Sequence, residues 1–196
     1  MDLLKTLKNF QIDMLIQGSF LGGGVESIDG NSMILSTANS GYEQLRMIFF
    51  DFFKIREKDV IVDVGCGKGR VFNFLLYKGL KNKMIGYEIN KTVAEKTKKN
   101  LSRYGNVDIR SENIFNDFPT EGNIFYLFNP FREAMMKDFK KRILQIREKN
   151  PVILYYNPQY LDIFNDERFT YDLKDIPILQ SGYPVKLALI KLSDKT

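Results

Sequence analysis

The chain has 196 residues, 44% hydrophobic and 27% charged, enough for one domain with a substantial core and too few for two. Histidine is absent and Cys66 is the only cysteine, so there is no internal disulfide, and the commonest general base and transition-metal ligand is missing. A metal-free chemistry in a reducing cytoplasm is expected. The formal charge of +5 is spread along the chain. Its modest clusters at 96–99 and 137–141 read as solvated helix faces rather than a nucleic-acid groove. No apolar run approaches the length of a membrane span, and Asp2, Lys5 and Lys8 break up any signal-peptide pattern.

Leu3, Leu4, Leu7, Phe10, Met14 and Leu15 recur at three- and four-residue spacing and predict an amphipathic helix over 3–17. A glycine-rich loop at 22–31 ends it. A second helix is predicted over 42–54, with Leu45, Ile48, Phe49 and Phe52 on one face and Ser40 as its cap. Residues 1–55 therefore read as an N-terminal helical extension, a lid hinged at 36–42 or an oligomer contact, ahead of a domain over 56–196. From there strands are predicted at 59–64, 83–88, 107–111, 123–128 and 151–156, with helices at 69–79, 92–104 and 132–148 between them. Thr92 and Glu95 form a capping box for the middle helix. Strands alternating with helices imply a parallel sheet covered on both sides. Two further strands, 169–172 and 185–192, follow each other without a helix around a turn at 180–184, so they pair antiparallel. The expected fold is α/β, Rossmann-like and seven-stranded, mostly parallel with a C-terminal antiparallel hairpin.

The most informative stretch is 60–70, VIVDVGCGKGR. An apolar strand runs into Asp63 and then into glycines at 65, 67 and 69, where backbone can turn sharply and approach a ligand. A dinucleotide fingerprint needs its third glycine at position 70, which is Arg70. A P-loop needs Ser or Thr after its lysine, and Lys68 is followed by Gly69. The remaining pattern, D-x-G-x-G-x-G from Asp63 to Gly69, resembles motif I of the class I S-adenosylmethionine-dependent methyltransferases. Together with FNPF at 128–131 and STANSGYEQLR at 36–46, it is similar to a bacterial group distantly like the non-SET histone-lysine methyltransferases.

That resemblance implies S-adenosylmethionine as cofactor and gives polar residues at successive strand ends their roles. Backbone of Gly65, Cys66 and Gly67 would lie against the methionine moiety, with Asp63 supporting the loop and the cationic end. Glu88, at the end of the second strand, would accept both hydroxyls of a ribose diol. Asn113, or its neighbour Glu112, would serve the adenine edge, with Ile89 and Ile114 on its faces. Tyr42 is nominated as a lid residue over the cofactor.

Asn129-Pro130-Phe131 resembles the [DN]-P-P-[YF] motif of amino-group methyltransferases but lacks the second proline. In that family the asparagine and a prolyl carbonyl accept hydrogen bonds from the target nitrogen. The missing residue redirects Phe131, so stacking on a flipped base is not carried over. Asn157-Pro158 repeats the element at the next strand end. The expected activity is methyl transfer, N-directed, to an unidentified acceptor, with a protein amine or small molecule favoured over nucleic acid. O-methylation of a metabolite and a catalytically silent cofactor-binding subunit are the alternatives. An NAD-linked oxidoreductase is disfavoured by Arg70 and the closing hairpin.

Overall fold

A computed structural model describes residues 3–22, 40–177 and 184–193. The expected loop beyond position 22, positions 36–39 of the expected hinge and positions 180–183 of the closing turn lie outside the described residues. Five parallel strands, β1 (Ile61–Val64), β2 (Met84–Tyr87), β3 (Val107–Arg110), β4 (Ile124–Phe128) and β5 (Val152–Tyr156), are joined by β6 (Phe169–Ile176) and β7 (Val185–Leu192). The sheet order is β3-β2-β1-β4-β5-β7-β6, with β7 antiparallel to both β5 and β6. After β3 the chain crosses back to the other side of β1, which opens a crevice at the carboxyl ends of β1 and β4.

Helices cover both faces: α1 (Leu3–Gln17), α2 (Tyr42–Arg46), α3 (Arg70–Tyr77), α4 (Lys91–Leu101) and α5 (Glu133–Gln145). Successive side chains of a strand point to opposite faces, and this divides the core in two. Ile61, Met84, Ile124 and Leu154 pack in one cluster with residues of α1 to α4. Their neighbours Val62, Ile85, Phe125 and Ile153 pack in a second with Met136, Phe139 and Ile143 of α5. Edge strand β6 is mostly exposed and carries Asp172, Lys174 and Asp175, charges that discourage pairing with another chain.

Four local expectations are corrected. The cap of α4 is Asn90, whose side chain accepts from Val93 N at 3.1 Å, two residues before the expected Thr92. Ser40 caps nothing; its hydroxyl meets that of Tyr126 at 2.6 Å, and Gly41 stands at the N-cap of α2. That helix changes at Met47 into one π turn, Met47–Asp51, closed by Phe52 N to Met47 O at 2.9 Å. In α1 the residues that turn inward are Ile12, Asp13, Ile16 and Gln17, while Leu7, Phe10, Met14 and Leu15 are exposed. No helix among the described residues is long and apolar enough to cross a membrane.

Candidate cofactor and active site

The glycine loop leaves β1 with positive φ at Gly65 (78°), Gly67 (51°) and Gly69 (74°), a region that disfavours any side chain. Its backbone is fastened at several points. Gly65 N and Cys66 N both donate to Tyr87 O, at 2.9 and 2.8 Å. Gly67 N donates to Glu88 Oε2 at 3.0 Å, and Gly67 O accepts from Thr97 Oγ1 at 2.9 Å. A Cβ on Gly65 would stand 3.3 Å from Pro130, so glycine lets the Asn129-Pro130 element approach the loop.

Beside this loop, on the α5 side of the strand ends, lies a cleft open to solvent. Val64, Gly65, Tyr87, Glu88, Ile89, Glu112, Asn113, Ile114, Pro130, Phe131 and Met135 line it. The structure thus brings Gly65, Glu88, Ile89, Asn113, Ile114, Pro130 and Phe131 together from four separate strand ends. Asp63, Cys66, Gly67, Asn129 and Tyr42 are not part of that lining.

Glu88 is the most constrained acid in the cleft. Besides Gly67 N, Asn90 N donates to its Oε1 at 2.7 Å, so the carboxylate ties the loop to the start of α4. Four lone-pair positions leave room for further donors. Burial pushes its pKa up, opposed by the bonds from Asn90, Gly67 and Ile89. Ile89 is 47% exposed at the cleft rim, whereas Ile114 is buried in its wall. Asn113 shapes a turn, its Oδ1 accepting from Phe115 N at 3.0 Å, and its amide nitrogen has no partner among the described residues.

Asp63 sits on the other face of β1, buried and with no hydrogen-bond partner among the described residues. Burial, and then the nearby charge of Glu88, push its pKa up to about 8. Loop support comes from Glu88 and Thr97 instead. The Cys66 thiol is buried and pushed well above its ordinary value by burial, Asp63 and Glu88, so it is a packing group rather than a nucleophile. Its sulfur fills the space against Gly86, where a Cβ would be 2.8 Å away.

At the ends of β4 and β5, Asn129 and Asn157 both adopt left-handed backbone, φ 47° and 54°. They follow Phe128 and Tyr156, which are direct partners in the sheet, so the two Asn-Pro elements stand side by side. Asn129 Oδ1 accepts weakly from Gln159 N at 3.4 Å, bracing one element on the other. Phe131 is 5% exposed, with ring centroids 5.2 Å from Phe115 and 5.8 Å from Phe139. It therefore forms cleft wall and core, not an open stacking platform. Tyr42 is also enclosed: its hydroxyl donates to Asp13 and accepts from Asn73 Nδ2, and its ring stacks on Phe74.

Sequence reasoning missed Val64, Tyr87 and Met135. The first two are the strand residues that point to the α5 face next to Asp63 and Glu88, a signal available in the alternation. Met135 lies in the first turn of α5 and belongs to no motif. Tyr87 also receives Arg110 Nη1 on its hydroxyl and donates to Asp117 O, and burial lifts its pKa to about 12.

An RNA methyltransferase from Salinibacter ruber, solved with S-adenosyl-L-homocysteine, superposes with a TM-score of 0.57 over 82% of this chain and 96% of its own, at 15% identity. The mitomycin 7-O-methyltransferase MmcR superposes with a TM-score of 0.58 over 78% of this chain and 53% of its own, at 12% identity. The fold is that of the class I S-adenosylmethionine-dependent methyltransferases. The methyltransferase sheet is thus shared by proteins whose names imply an RNA in one case and a small molecule in the other. Local sequence similarity also exists: the ribosomal RNA small subunit methyltransferase A of Thermotoga neapolitana is 31% identical over 103 residues. That match takes in 48% of this chain and 39% of the relative, so the chain spans about two fifths of the relative's length. No family model matches the sequence.

Proposed function

We propose that the protein transfers the methyl group of S-adenosylmethionine to a nitrogen nucleophile, with RNA as the first acceptor class to test. The observation that carries this reading is the cleft across the ends of β1, β2, β3 and β4, lined by Glu88 and by Gly65 of the glycine loop. The residues present fit such a cofactor. Glu88 in the cleft wall keeps acceptor capacity beyond its bonds from Gly67 N and Asn90 N, and Gly65 leaves space a side chain would take. The sequence-based preference for a protein amine or metabolite is given up. The comparisons do not favour either over RNA, and the relative with local sequence similarity is named for ribosomal RNA.

When bound, the cofactor supplies a methyl made electrophilic by its sulfonium, so transfer needs alignment and desolvation more than an acid–base pair. Glu88 would accept the ribose hydroxyls, Asn113 the adenine edge, and Ile89 and Ile114 its faces. Asn129, held in left-handed backbone beside Pro130, would orient the acceptor nitrogen. Residues 1–55 would form the extension that covers this end of the sheet, with Ser40 fastened to Tyr126. The likeness to MmcR supports a second reading, O-methylation of a small molecule.

The test is calorimetry with S-adenosylhomocysteine and with NADH, followed by labelled methyl transfer to RNA, protein and metabolite pools. Micromolar binding of the first ligand only, with label in RNA, is expected. Binding of NADH alone sinks the cofactor assignment. Label confined to metabolites moves the acceptor to the second reading, and binding without transfer to any pool indicates a silent subunit.

A further inference from the structure

We infer that Gln17 is a positioning residue for the cofactor loop, coupling the docking of α1 to occupancy of the cleft; this rests on the cofactor reading above. A loop with three glycines at positive φ is floppy by composition, and ordering each such residue opposes binding. Gly65, Cys66 and Gly67 are held by the sheet, by Glu88 and by α4. The next carbonyl, that of Lys68, is held by α1: Gln17 Nε2 donates to it at 3.0 Å. Gln17 is itself steadied, its Oε1 accepting from Asn100 Nδ2 at 3.4 Å.

The closure is tight. A Cβ on Gly69 would stand 3.3 Å from Gln17 Nε2, 2.8 Å from Thr97 Cγ2 and 3.1 Å from Leu101 Cδ1. Residues of α1 and α4 therefore press on the loop's last glycine from both sides. The end of α1 is secured by polar contacts as well as by buried Ile12 and Ile16. Asp13, fully buried, accepts from Leu21 N at 3.1 Å, from Asn73 Nδ2 at 3.3 Å and from the Tyr42 hydroxyl. Arg103 Nη2 donates to the carbonyls of Leu15 and Ile16 at 2.7 and 2.8 Å. A seam of hydrogen bonds is geometrically demanding, so α1 holds the loop in one register rather than merely covering it. By linkage, ligand binding that orders the loop favours docking of α1 by the same factor by which docking favours binding.

Two measurements test this. In the wild-type protein, saturating S-adenosylhomocysteine should slow amide exchange in residues 3–17; unchanged exchange there overturns the inference. In Gln17→Leu, which keeps the bulk but loses the donor, affinity for S-adenosylhomocysteine should fall about three- to tenfold, the worth of one hydrogen bond. Gln17→Glu, which keeps the shape and also lacks the donor, should fall at least as far. A lowered melting temperature with unchanged affinity in both variants would make Gln17 a purely structural residue and overturn the inference. Failure of the wild-type protein to bind the ligand removes the cofactor reading and this inference with it. Binding by wild type and variants alike removes only this inference.

Discussion

Removing the Glu88 carboxylate should damage the cofactor site and the apo protein by separable amounts. Its two oxygens accept from Gly67 N at 3.0 Å and Asn90 N at 2.7 Å, and hydrogen bonds to a charged group contribute about 1.5–3 kcal/mol each. Burial costs the charge more than these bonds return, as its raised pKa shows, but removing the carboxylate leaves two backbone donors unpaired, so Glu88→Ala should lower apo stability by about 2–3 kcal/mol. For a chain of this size that is a fall of roughly 5–10 °C in melting temperature. If the same oxygens also hold a ribose diol, two more bonds of that class are lost on binding. The combined about 3–6 kcal/mol corresponds to a 10²–10⁴-fold weaker Kd for S-adenosylhomocysteine. Glu88→Gln keeps one oxygen but turns an amide N–H₂ toward one of the two backbone donors, so it should fall between alanine and wild type. Titration calorimetry and thermal melts on the three proteins make the comparison. An alanine variant that binds within threefold of wild type would refute the assignment of Glu88 to the cofactor, whatever its melting temperature.

Asn129→Ala should cut methyl transfer by at least about 100-fold, as expected for loss of a group orienting the reacting atom, while affinity for S-adenosylhomocysteine stays within about threefold. Asn129→Gly should lose transfer equally but regain about 1 kcal/mol of stability over alanine, because the backbone at φ 47° suits glycine; turnover retained in either variant moves the acceptor site elsewhere. Asp63 has a folded-state pKa raised to about 8, above the about 4 of an unfolded aspartate, so its contribution to stability is lost as pH rises through that window. The melting temperature of Asp63→Asn should therefore gain on wild type from about pH 4 to 8 and level off above; parallel pH profiles would show that Asp63 titrates normally. Gly69→Ala would combine a φ of 74° with a Cβ 2.8 Å from Thr97 Cγ2. A loss of about 2–4 kcal/mol by denaturant unfolding is expected, and wild-type stability would mean the loop is free to move away from α1 and α4.

Much of the sheet was written locally. The apolar runs before Asp63, Glu88 and Asn129 are strands buried on both faces, and the glycines at 65, 67 and 69 suit only backbone that turns through positive φ. Both signals depend on a few adjacent residues, so one sequence suffices to read them, and the closing hairpin follows from two strands with no room for a crossover. The C-terminal limit of β6 was harder: it extends to Ile176 because β7 pairs with it along eight residues, a partner that its own exposed, charged sequence does not announce.

What the sequence by itself determined is therefore the strand-and-helix order, the glycine turn and the row of polar residues at strand ends, since each follows from backbone sterics or from short-range periodicity. Tertiary structure alone decided which way side chains on ambiguous elements would point. In α1, apolar residues lie on more than one side, and the sockets offered by Lys68, Asn73 and Asn100 draw Asp13 and Gln17 inward while Leu7 and Phe10 stay in water. Phe131 turns into the core because Phe115 and Phe139 surround it, and Ser40 leaves its helix uncapped because Tyr126 lies within reach. Such choices depend on partners 8 to 86 residues away, whose positions exist only once the chain has folded.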